Sequence, residues 1–375
     1  MSRWLRHARE AHQILGAPVV PPPALTRALV RARTGLASLS RRSAPPPVQV
    51  LEALFGLFDN RVLGVLVALD IPEQLDRRRT LADLADATGA APDRLERLLR
   101  YAAAKGFVAM DRQGRYRATS TTVVLRRDHP SSWRPWVEFA TSEWFWDAWR
   151  HADRSVLGAS AMEAATGHPF FTFVNEVRPD AGVTFNEAMA AGSAAQALAL
   201  DGALGWSNIR TVCDVGGGTG TVLARLLDRH AHLEATLVDL PEVVAAAVPA
   251  LAGPLAGRVR LHGGSFFDPL PAGCDRYLLL AIVHDWDDAD AARILHRVAA
   301  AIVPTGRAVV AEGVLPAAPR DEFVVASDLL MMVLASGRER TMPQFAALFA
   351  RSGLAIDRLV PLATGFTAFE LCRSS

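Results

Sequence analysis

The sequence has almost no lysine, and this scarcity excludes several chemistries. Of its 40 basic residues only Lys105 is a lysine, and the rest are arginines. The chain therefore cannot form a phosphate-binding Gly-Lys-Ser/Thr loop or supply a kinase-type strand lysine. A Schiff base would have to form on Lys105, in the unpromising stretch Ala-Ala-Ala-Lys-Gly. The 40 basic and 39 acidic residues nearly cancel, so no overall charge attracts the chain to nucleic acid or to a membrane.

Cysteine is scarce as well. Cys213, Cys274 and Cys372 stand far apart and form no Cys-x-x-Cys pair, which indicates a reducing compartment rather than a disulfide framework. No apolar run reaches the ~18 residues of a membrane-spanning helix, and the start of the chain lacks the pattern of a signal peptide. We therefore expect a cytoplasmic protein with no membrane partner.

The first 47 residues differ from the rest in composition. They hold eight arginines but one acid, Glu10, and the proline blocks Pro21–Pro23 and Pro45–Pro47 should interrupt helices. This segment is either a partly ordered extension or an arm that wraps a partner subunit or binds an acidic surface. The predicted regions are an extension over 1–47, a mainly helical domain over 48–190 and a sheet-containing domain over 191–375.

Residues 48–119 show the order helix, helix, hairpin. Apolar residues recur at helical spacing over 48–70, a short helix over 80–89 is closed by glycine, and Pro92 begins another helix. A hairpin follows over 107–119. This order is typical of a winged helix, some of which bind DNA. The helix after Pro92 mixes acidic with basic residues, which favours packing or dimerisation over DNA binding.

Five of the eight tryptophans lie within residues 133–149, together with two phenylalanines. Such a cluster forms either the core between helices or the roof of a pocket for a flat apolar ligand. The sequence leaves both possibilities open.

From about residue 195, strand-like and helix-like runs alternate. The predicted strands are Thr211–Val215, Ala235–Val238, Val259–His262, Tyr277–Ile282, Arg307–Glu312, Ile356–Pro361 and Phe366–Cys372. This alternation predicts an α/β fold with an open, mostly parallel sheet and helices on both faces. Ligands of such sheets bind beyond the carboxyl ends of the strands.

The strongest local motif, Asp214-Val-Gly-Gly-Gly-Thr-Gly, follows the first of these strands. It fails the dinucleotide pattern Gly-x-Gly-x-x-Gly, because Thr221 occupies the last glycine position. It fits the pattern acid-x-Gly-x-Gly-x-Gly, in which Gly216, Gly218 and Gly220 let a ligand lie against bare backbone. The helix that follows offers amide donors at its N-terminus.

A second acid, Asp239, ends the next strand and is placed to hold ribose hydroxyls. With it, the chain resembles class I S-adenosylmethionine-dependent O-methyltransferases. The likeness is greater to the two-domain group with the plant caffeate-type enzymes, acetylserotonin O-methyltransferase and bacterial enzymes that methylate aromatic polyketides. It covers about residues 50–375 and is carried by six motifs in order, namely 214–220, 238–241, 263–271, 284–288, 312–316 and 337–341.

The resemblance implies a Rossmann-like domain with a seven-stranded sheet that binds S-adenosylmethionine, preceded by a winged-helix domain that forms a homodimer. It implies that His284 is the general base and that Glu312 and Glu339 flank and orient it. A phenol with a pKa of about 10 is a weak nucleophile at neutral pH, and an imidazole with a pKa of about 6.5 can accept its proton. The expected reaction is methylation of a phenolic hydroxyl on a small aromatic metabolite derived from a polyketide or an amino acid.

The motifs, the aromatic cluster and the resemblance together give a set of expected binding residues. Those expected at the cofactor are Asp214, Gly216, Gly218, Gly220, Asp239, Leu240, Ser265 and Phe266. Those expected at the aromatic substrate are Trp144, Trp146, Phe185, Met189, Asp285, Met331 and Met332. No metal site is predicted, because the pair His230 and His232 lacks a nearby cysteine or acid cluster.

Two positions depart from the family. Many relatives carry an acid where this chain has Ser265, and a serine accepts a hydrogen bond from adenine without charge. The plant enzymes carry a lysine where this chain has Leu280. Two other functions remain open at this point: cofactor-assisted hydroxylation or decarboxylation within the same fold, and a winged-helix regulator that binds DNA.

Overall fold

The computed structural model describes residues 22–318 and 323–374, so most of the first half of the predicted extension lies outside the described residues. The chain divides into two compact units. The helical unit comprises Leu39–Ala194 and Asp328–Gly337. The sheet unit comprises Ala195–Ser327, Arg338–Ser375 and the described part of Met1–Ser38. The predicted boundaries at residues 47 and 190 stay predictions.

The helical unit contains the predicted order of helix, helix and hairpin. Its helices are Pro46–Ala68, Ile71–Gln74, Leu81–Thr88, Pro92–Ala104, Ser120–Val123, Arg134–Thr141, Glu143–Arg150, Ala152–Val156, Ala161–Thr166 and Phe170–Thr172, followed by the π-helical turn Phe173–Val177. Strands β1 (Val108–Met110) and β2 (Tyr116–Ala118) form an antiparallel pair. The described part of the extension forms a helix, Pro23–Ser43. The second proline block begins the next helix, with Pro45 at its N-cap and Pro46 as its first residue.

Local sequence signals set the ends of the predicted helices. The hydroxyl of Thr80 accepts the Asp83 N–H at 3.2 Å, and the Asp83 carboxylate accepts the Thr80 N–H at 2.8 Å. This capping box begins helix Leu81–Thr88, and Gly89 ends it with a φ of 67°.

The aromatic segment forms a core of the helical unit. Phe139 is 2% exposed and packs edge-to-face on Trp144 and Phe145, with ring centroids 5.4 and 5.3 Å apart. Phe170 and Phe173 join the same cluster. The core interpretation of this segment therefore applies to its most buried rings.

The sheet unit contains the predicted α/β sheet. Its strands are β3 (Thr211–Val215), β4 (Glu234–Asp239), β5 (Val259–Gly263), β6 (Arg276–Leu280), β7 (Arg307–Glu312), β8 (Val314–Leu315), β9 (Arg340–Thr341), β10 (Leu354–Pro361) and β11 (Thr367–Arg373). Its helices are Thr221–Arg229, Pro241–Ala247, Asp288–Ala301 and Met342–Arg351, with 3₁₀ turns at Gly253–Arg258 and Val283–Asp285. Helices Pro179–Ala203 and Phe323–Leu334 each contain a boundary between the units.

The seven-stranded sheet has the order β10-β11-β7-β6-β3-β4-β5. Strands β3 to β7 pair in parallel, and β11 pairs antiparallel with β7 and β10. The chain leaves β3 toward β4 on one side and returns to β6 on the other. The carboxyl ends of β3 and β6 therefore form the point where the strand order reverses, and such a point is the usual ligand-binding edge.

Both faces of the central strands of this sheet are covered. Cys213 and Val215 belong to one core cluster with helices Asp288–Ala301 and Met342–Arg351, while Val212 belongs to the cluster on the other face with helix Thr221–Arg229. This alternation explains why the strands read as continuous apolar runs. Among the described residues, no helix is both long and apolar enough to cross a membrane.

One predicted strand is too long. The run Tyr277–Ile282 was expected to be extended throughout, but β6 ends at Leu280. Ala281 has a φ of 54°, which is left-handed backbone and cannot continue a strand. The chain therefore turns off the sheet two residues earlier than predicted, directly before the turn that carries His284.

Candidate active site

The loop after β3 is built from glycines. Gly216, Gly218 and Gly220 have φ values of 69°, 58° and 78°, at which any other residue is strained. The Gly216 N–H donates to the carbonyl of Val238 at 2.8 Å. Helix Thr221–Arg229 begins directly after the loop, so bare backbone lies between strand and helix.

Gly217, which the motif pattern passes over, is as crowded as Gly216. A Cβ atom on Gly217 would lie 2.5 Å from Leu237 Cδ1 and 2.6 Å from Asp214 Oδ2. A side chain at this position would therefore displace the Asp214 carboxylate. In the sequence, the run of three glycines from Gly216 to Gly218 is the signal that points to Gly217.

Asp214 is a buried acid with an unused acceptor. It is 1% exposed, and its Oδ2 has no hydrogen-bond partner among the described residues. Burial, with a further contribution from the charge of Asp239, raises the pKa of Asp214 to about 7. A buried acceptor of this kind is suited to an N–H donor or a cation supplied by a ligand.

Asp239 ties the tip of β4 to the glycine loop. Its Oδ2 accepts the Gly218 N–H and its Oδ1 accepts the Leu240 N–H, both at 2.8 Å. Burial raises the pKa of Asp239, and these two hydrogen bonds oppose that rise. Hydrogen bonds thus join the tip of β4 to the glycine loop that follows β3.

The segment after β5 contributes Phe266 to the same region. Its Cε1 lies 3.5 Å from where a Cβ atom on Gly216 would be, and its ring meets that of Trp286 edge-to-face at 5.7 Å. The hydroxyl of Ser265 accepts the Phe267 N–H at 3.2 Å. An apolar ring therefore lies beside the glycine loop, next to an uncharged hydroxyl.

The three predicted catalytic residues lie together. His284 is 9% exposed and sits in the 3₁₀ turn Val283–Asp285. Its Nδ1 is 2.9 Å from Glu339 Oε1 and 3.6 Å from Glu312 Oε2. Its Nε2 is 3.5 Å from Asp285 Oδ1. In the neutral imidazole, the hydrogen bond to the Glu339 carboxylate places the proton on Nδ1 and leaves Nε2 as the acceptor.

Glu312, the last residue of β7, also holds the backbone of this turn. It is fully buried, and its Oε1 accepts the N–H groups of Ile282 at 3.1 Å and Val283 at 2.7 Å. The turn of the chain at Ala281 brings these two donors to the carboxylate. Glu312 therefore acts on both the position and the charge of His284.

The charges of this cluster oppose the effect of burial. Burial favours a neutral imidazole, but the charges of Glu312, Asp285 and Glu339 outweigh it and raise the pKa of His284 to about 10. Burial raises the pKa of Glu312 to about 7 and that of Asp285 to about 6. The raised pKa of Glu312 opposes the raised pKa of His284, because a protonated Glu312 carboxyl carries no charge that attracts the proton on His284. The pKa of His284 is nevertheless raised above its ordinary value of about 6.5.

A buried arginine fixes the residues on either side of His284. Arg340 is fully buried, and its guanidinium donates to the carbonyls of Val283 and Trp286, both at 2.9 Å. It also pairs with the Asp288 carboxylate at 2.8 Å. Arg340 lies inside the motif 337–341, but nothing in the sequence distinguished it as a support of this turn.

Side chains of the types found here also bind metal ions. Candidate ligand atoms of His284, Glu312 and Glu339 lie within 4.8 Å of one another. Hydrogen bonds already join His284 Nδ1 to Glu339 and Glu312 Oε1 to the backbone. We therefore assign no metal to the cluster, and the absence of a metal cofactor stays a prediction.

Six of the predicted substrate residues lie in the helical unit. Trp144, Trp146, Phe185, Met189 and Met332 belong to its aromatic core, and Met331 is partly exposed. The indole N–H of Trp146 is buried and has no hydrogen-bond partner among the described residues. The seventh, Asp285, lies beside His284 in the sheet unit.

Comparison with known proteins agrees with this architecture. Residues 148–355 match the family of O-methyltransferase domains, and residues 51–128 match the dimerisation domain of O-methyltransferases. The chain is 36% identical over 320 residues to the mitomycin biosynthesis 6-O-methyltransferase of Streptomyces lavendulae, a match that covers 84% of this chain and 91% of that protein.

Two solved structures extend the comparison. The mitomycin 7-O-methyltransferase MmcR has a TM-score of 0.81 at 34% identity, over 90% of this chain and all of its own. The O-methyltransferase NcsB1, in complex with S-adenosylmethionine and 2-hydroxy-5-methyl naphthoic acid, has a TM-score of 0.71 at 31% identity, over 84% of this chain and 96% of its own. The chain therefore belongs to the family of S-adenosylmethionine-dependent O-methyltransferases.

Proposed function

We propose that this enzyme methylates a phenolic hydroxyl of a small aromatic metabolite and that His284 is its general base. The observation that carries the proposal is the hydrogen bond of 2.9 Å between His284 Nδ1 and Glu339. It fixes the tautomer whose Nε2 can accept a proton, and the nearby Glu312 carboxylate stabilises the imidazolium that results. A raised pKa makes His284 a stronger base toward a phenol, but leaves less of it neutral at pH 7.

The residues at the glycine loop fit the cofactor. When bound, S-adenosylmethionine supplies a methyl group activated by a positively charged sulfur. The unpaired, buried Asp214 Oδ2 is suited to the cationic amino acid part of this molecule. We assign Asp239 to the ribose, and Ser265 and Phe266 to adenine. We expect the cofactor to approach the backbone of Gly216, Gly218 and Gly220 closely, next to Leu240.

We assign substrate contacts to Asp285 and to the aromatic residues already predicted. NcsB1 is solved in complex with a hydroxynaphthoic acid, and MmcR is a mitomycin 7-O-methyltransferase. The unpaired indole N–H of Trp146 supports an acceptor group on the substrate. The cytoplasmic location expected from the cysteine content belongs to this proposal as well, and neither nucleic acid nor a membrane is part of it.

We also propose that the enzyme is a homodimer. Leu51, Leu54, Phe55 and Phe58 follow helical spacing on one face of helix Pro46–Ala68 and are between 46% and 62% exposed. They lie in the region that matches the dimerisation domain. A contiguous apolar face of this kind is typical of an interface between subunits.

The base is tested by the variant His284→Ala. We expect methyl transfer to fall by about 10²- to 10⁴-fold, the usual contribution of a general base, while binding of S-adenosylhomocysteine is unchanged. Purified enzyme is assayed with labelled S-adenosylmethionine against a panel of phenols, aminophenols and hydroxynaphthoic acids, and calorimetry measures binding. His296→Ala, on an exposed part of helix Asp288–Ala301, is the control. Undiminished transfer by His284→Ala would show that another group removes the proton.

The pH profile tests the charges around His284. His284 must be neutral to act, so kcat/KM should rise with pH and reach its plateau only above a midpoint well above 6.5. Removing a negative charge in Glu312→Gln lowers the pKa of His284, so the midpoint should move to lower pH. Glu234→Gln, in an exposed ion pair with Arg210, should leave it in place. A midpoint that stays the same or rises in Glu312→Gln contradicts the assignment.

The cofactor loop is tested by Gly217→Ala. The added methyl group collides with Asp214 and Leu237 and displaces the carboxylate assigned to the cofactor. We therefore expect the affinity for S-adenosylhomocysteine to fall by about tenfold or more, in line with ~1.5–3 kcal/mol for one hydrogen bond to a charged group. Gly202→Ala is the matched control, since its Cβ meets no atom within 4 Å. Binding is measured by calorimetry and folding by thermal melting. Equal affinity in both variants would rule out this assignment of the loop.

The dimer is tested by light scattering after size exclusion. We expect twice the chain mass of 40.3 kDa for the native enzyme, and a shift toward monomer in Leu54→Glu, because a charge at the apolar face must be desolvated. Leu157→Glu, at a position that is 79% exposed outside this face, should remain dimeric. A monomeric native enzyme, or a dimeric Leu54→Glu variant at micromolar concentration, would refute the proposed interface.

A further inference from the structure

Ser327 is a polar residue in an apolar helix. It lies in helix Phe323–Leu334 and is 8% exposed. Its hydroxyl donates to Glu339 Oε1 at 2.7 Å, twelve residues further along the chain. A serine in or at the end of a helix commonly bonds back to the carbonyl four residues earlier. The buried Ser352, directly after helix Met342–Arg351, does so to Leu348 at 2.8 Å. Ser327 makes a tertiary contact to the candidate active site instead.

The oxygen that Ser327 reaches is the one that holds His284. Glu339 Oε1 accepts both the Ser327 hydroxyl at 2.7 Å and His284 Nδ1 at 2.9 Å. Two donors from separate segments fix the direction of this carboxylate oxygen better than one. Gly313 leaves room for this carboxylate, since a Cβ added there would come within 3.3 Å of Glu339 Oε2.

We propose that Ser327 is a positioning residue for methyl transfer, which holds Glu339 so that Glu339 orients the imidazole of His284. The inference rests on the proposed role of His284 as the base. Ser327 does not need to touch the substrate or the cofactor for this role. Its effect is transmitted through one shared oxygen atom.

The Ser327 hydroxyl also affects the negative charge that the Glu339 carboxylate presents to His284. Among the described residues, the charged groups facing His284 are Glu312 from β7, Glu339 from the segment before β9 and Asp285 from its own turn. The guanidinium of Arg340 is engaged with backbone carbonyls and Asp288. A hydroxyl that donates to Glu339 draws part of its negative charge. Without that donor, Glu339 attracts the proton of His284 more strongly, and the base becomes harder to deprotonate.

The test compares Ser327→Ala with Ser352→Ala, which removes another buried hydroxyl, one that donates to a backbone carbonyl. In Ser327→Ala we expect kcat to fall about tenfold, the effect of one hydrogen bond, and the midpoint of the pH profile to move upward. The melting temperature and the affinity for S-adenosylhomocysteine should match those of Ser352→Ala. Ser327→Thr, which keeps the hydroxyl, should restore both kcat and the midpoint.

Each outcome decides the matter. Equal kcat and equal midpoints in Ser327→Ala and Ser352→Ala would overturn the proposal, and so would a loss shared by Ser327→Thr with an unchanged midpoint, since that marks altered packing. His284→Ala is assayed in the same series. If His284→Ala is fully active, the base assignment itself fails; if only the Ser327 comparison fails, the base assignment stands and the positioning role does not.

Discussion

The conformation of the candidate active site depends on one imidazole buried among three carboxylates. Each of these groups would be costly to bury alone, and together they stabilise a shared proton. The end of β7 places Glu312, the segment before β9 places Glu339, and the turn after β6 places His284 between them. Arg340 contributes a buried positive charge to the same region without contacting the imidazole, because its donors are taken up by the backbone and by Asp288.

Much of the sheet could be predicted from the sequence because burial on both faces leaves a continuous apolar signal. Strands Thr211–Val215 and Arg307–Glu312 were predicted with their observed bounds. The end of β6 was wrong, because Ala281 and Ile282 look like a continuation of the strand. Their conformation is set by the hydrogen bonds from Ile282 and Val283 to Glu312, thirty and twenty-nine residues away, and no local pattern contains that information.

The candidate site was predictable to the extent that motifs carried it. His284, Glu312 and Glu339 were selected by resemblance and do lie together, although 28 and 55 positions separate the two glutamates from the histidine. Ser327 and Arg340 were not selected, because each acts through a contact made only in the folded chain. The pKa of His284 was also out of reach, since it depends on how closely three carboxylates approach the ring.

The left-handed backbone of Ala281 has a consequence for how the site meets its ligands. A residue other than glycine in this conformation is strained by roughly 1–2 kcal/mol, and the surrounding sheet must supply that energy on folding. A glycine would relieve the strain. It would also increase the conformational entropy that the unfolded chain loses on folding, and it would let the folded turn move more. Alanine thus makes the joint between β6 and the histidine turn stiff, and the angle of the imidazole is set by the folding of the protein rather than by the arrival of its substrate.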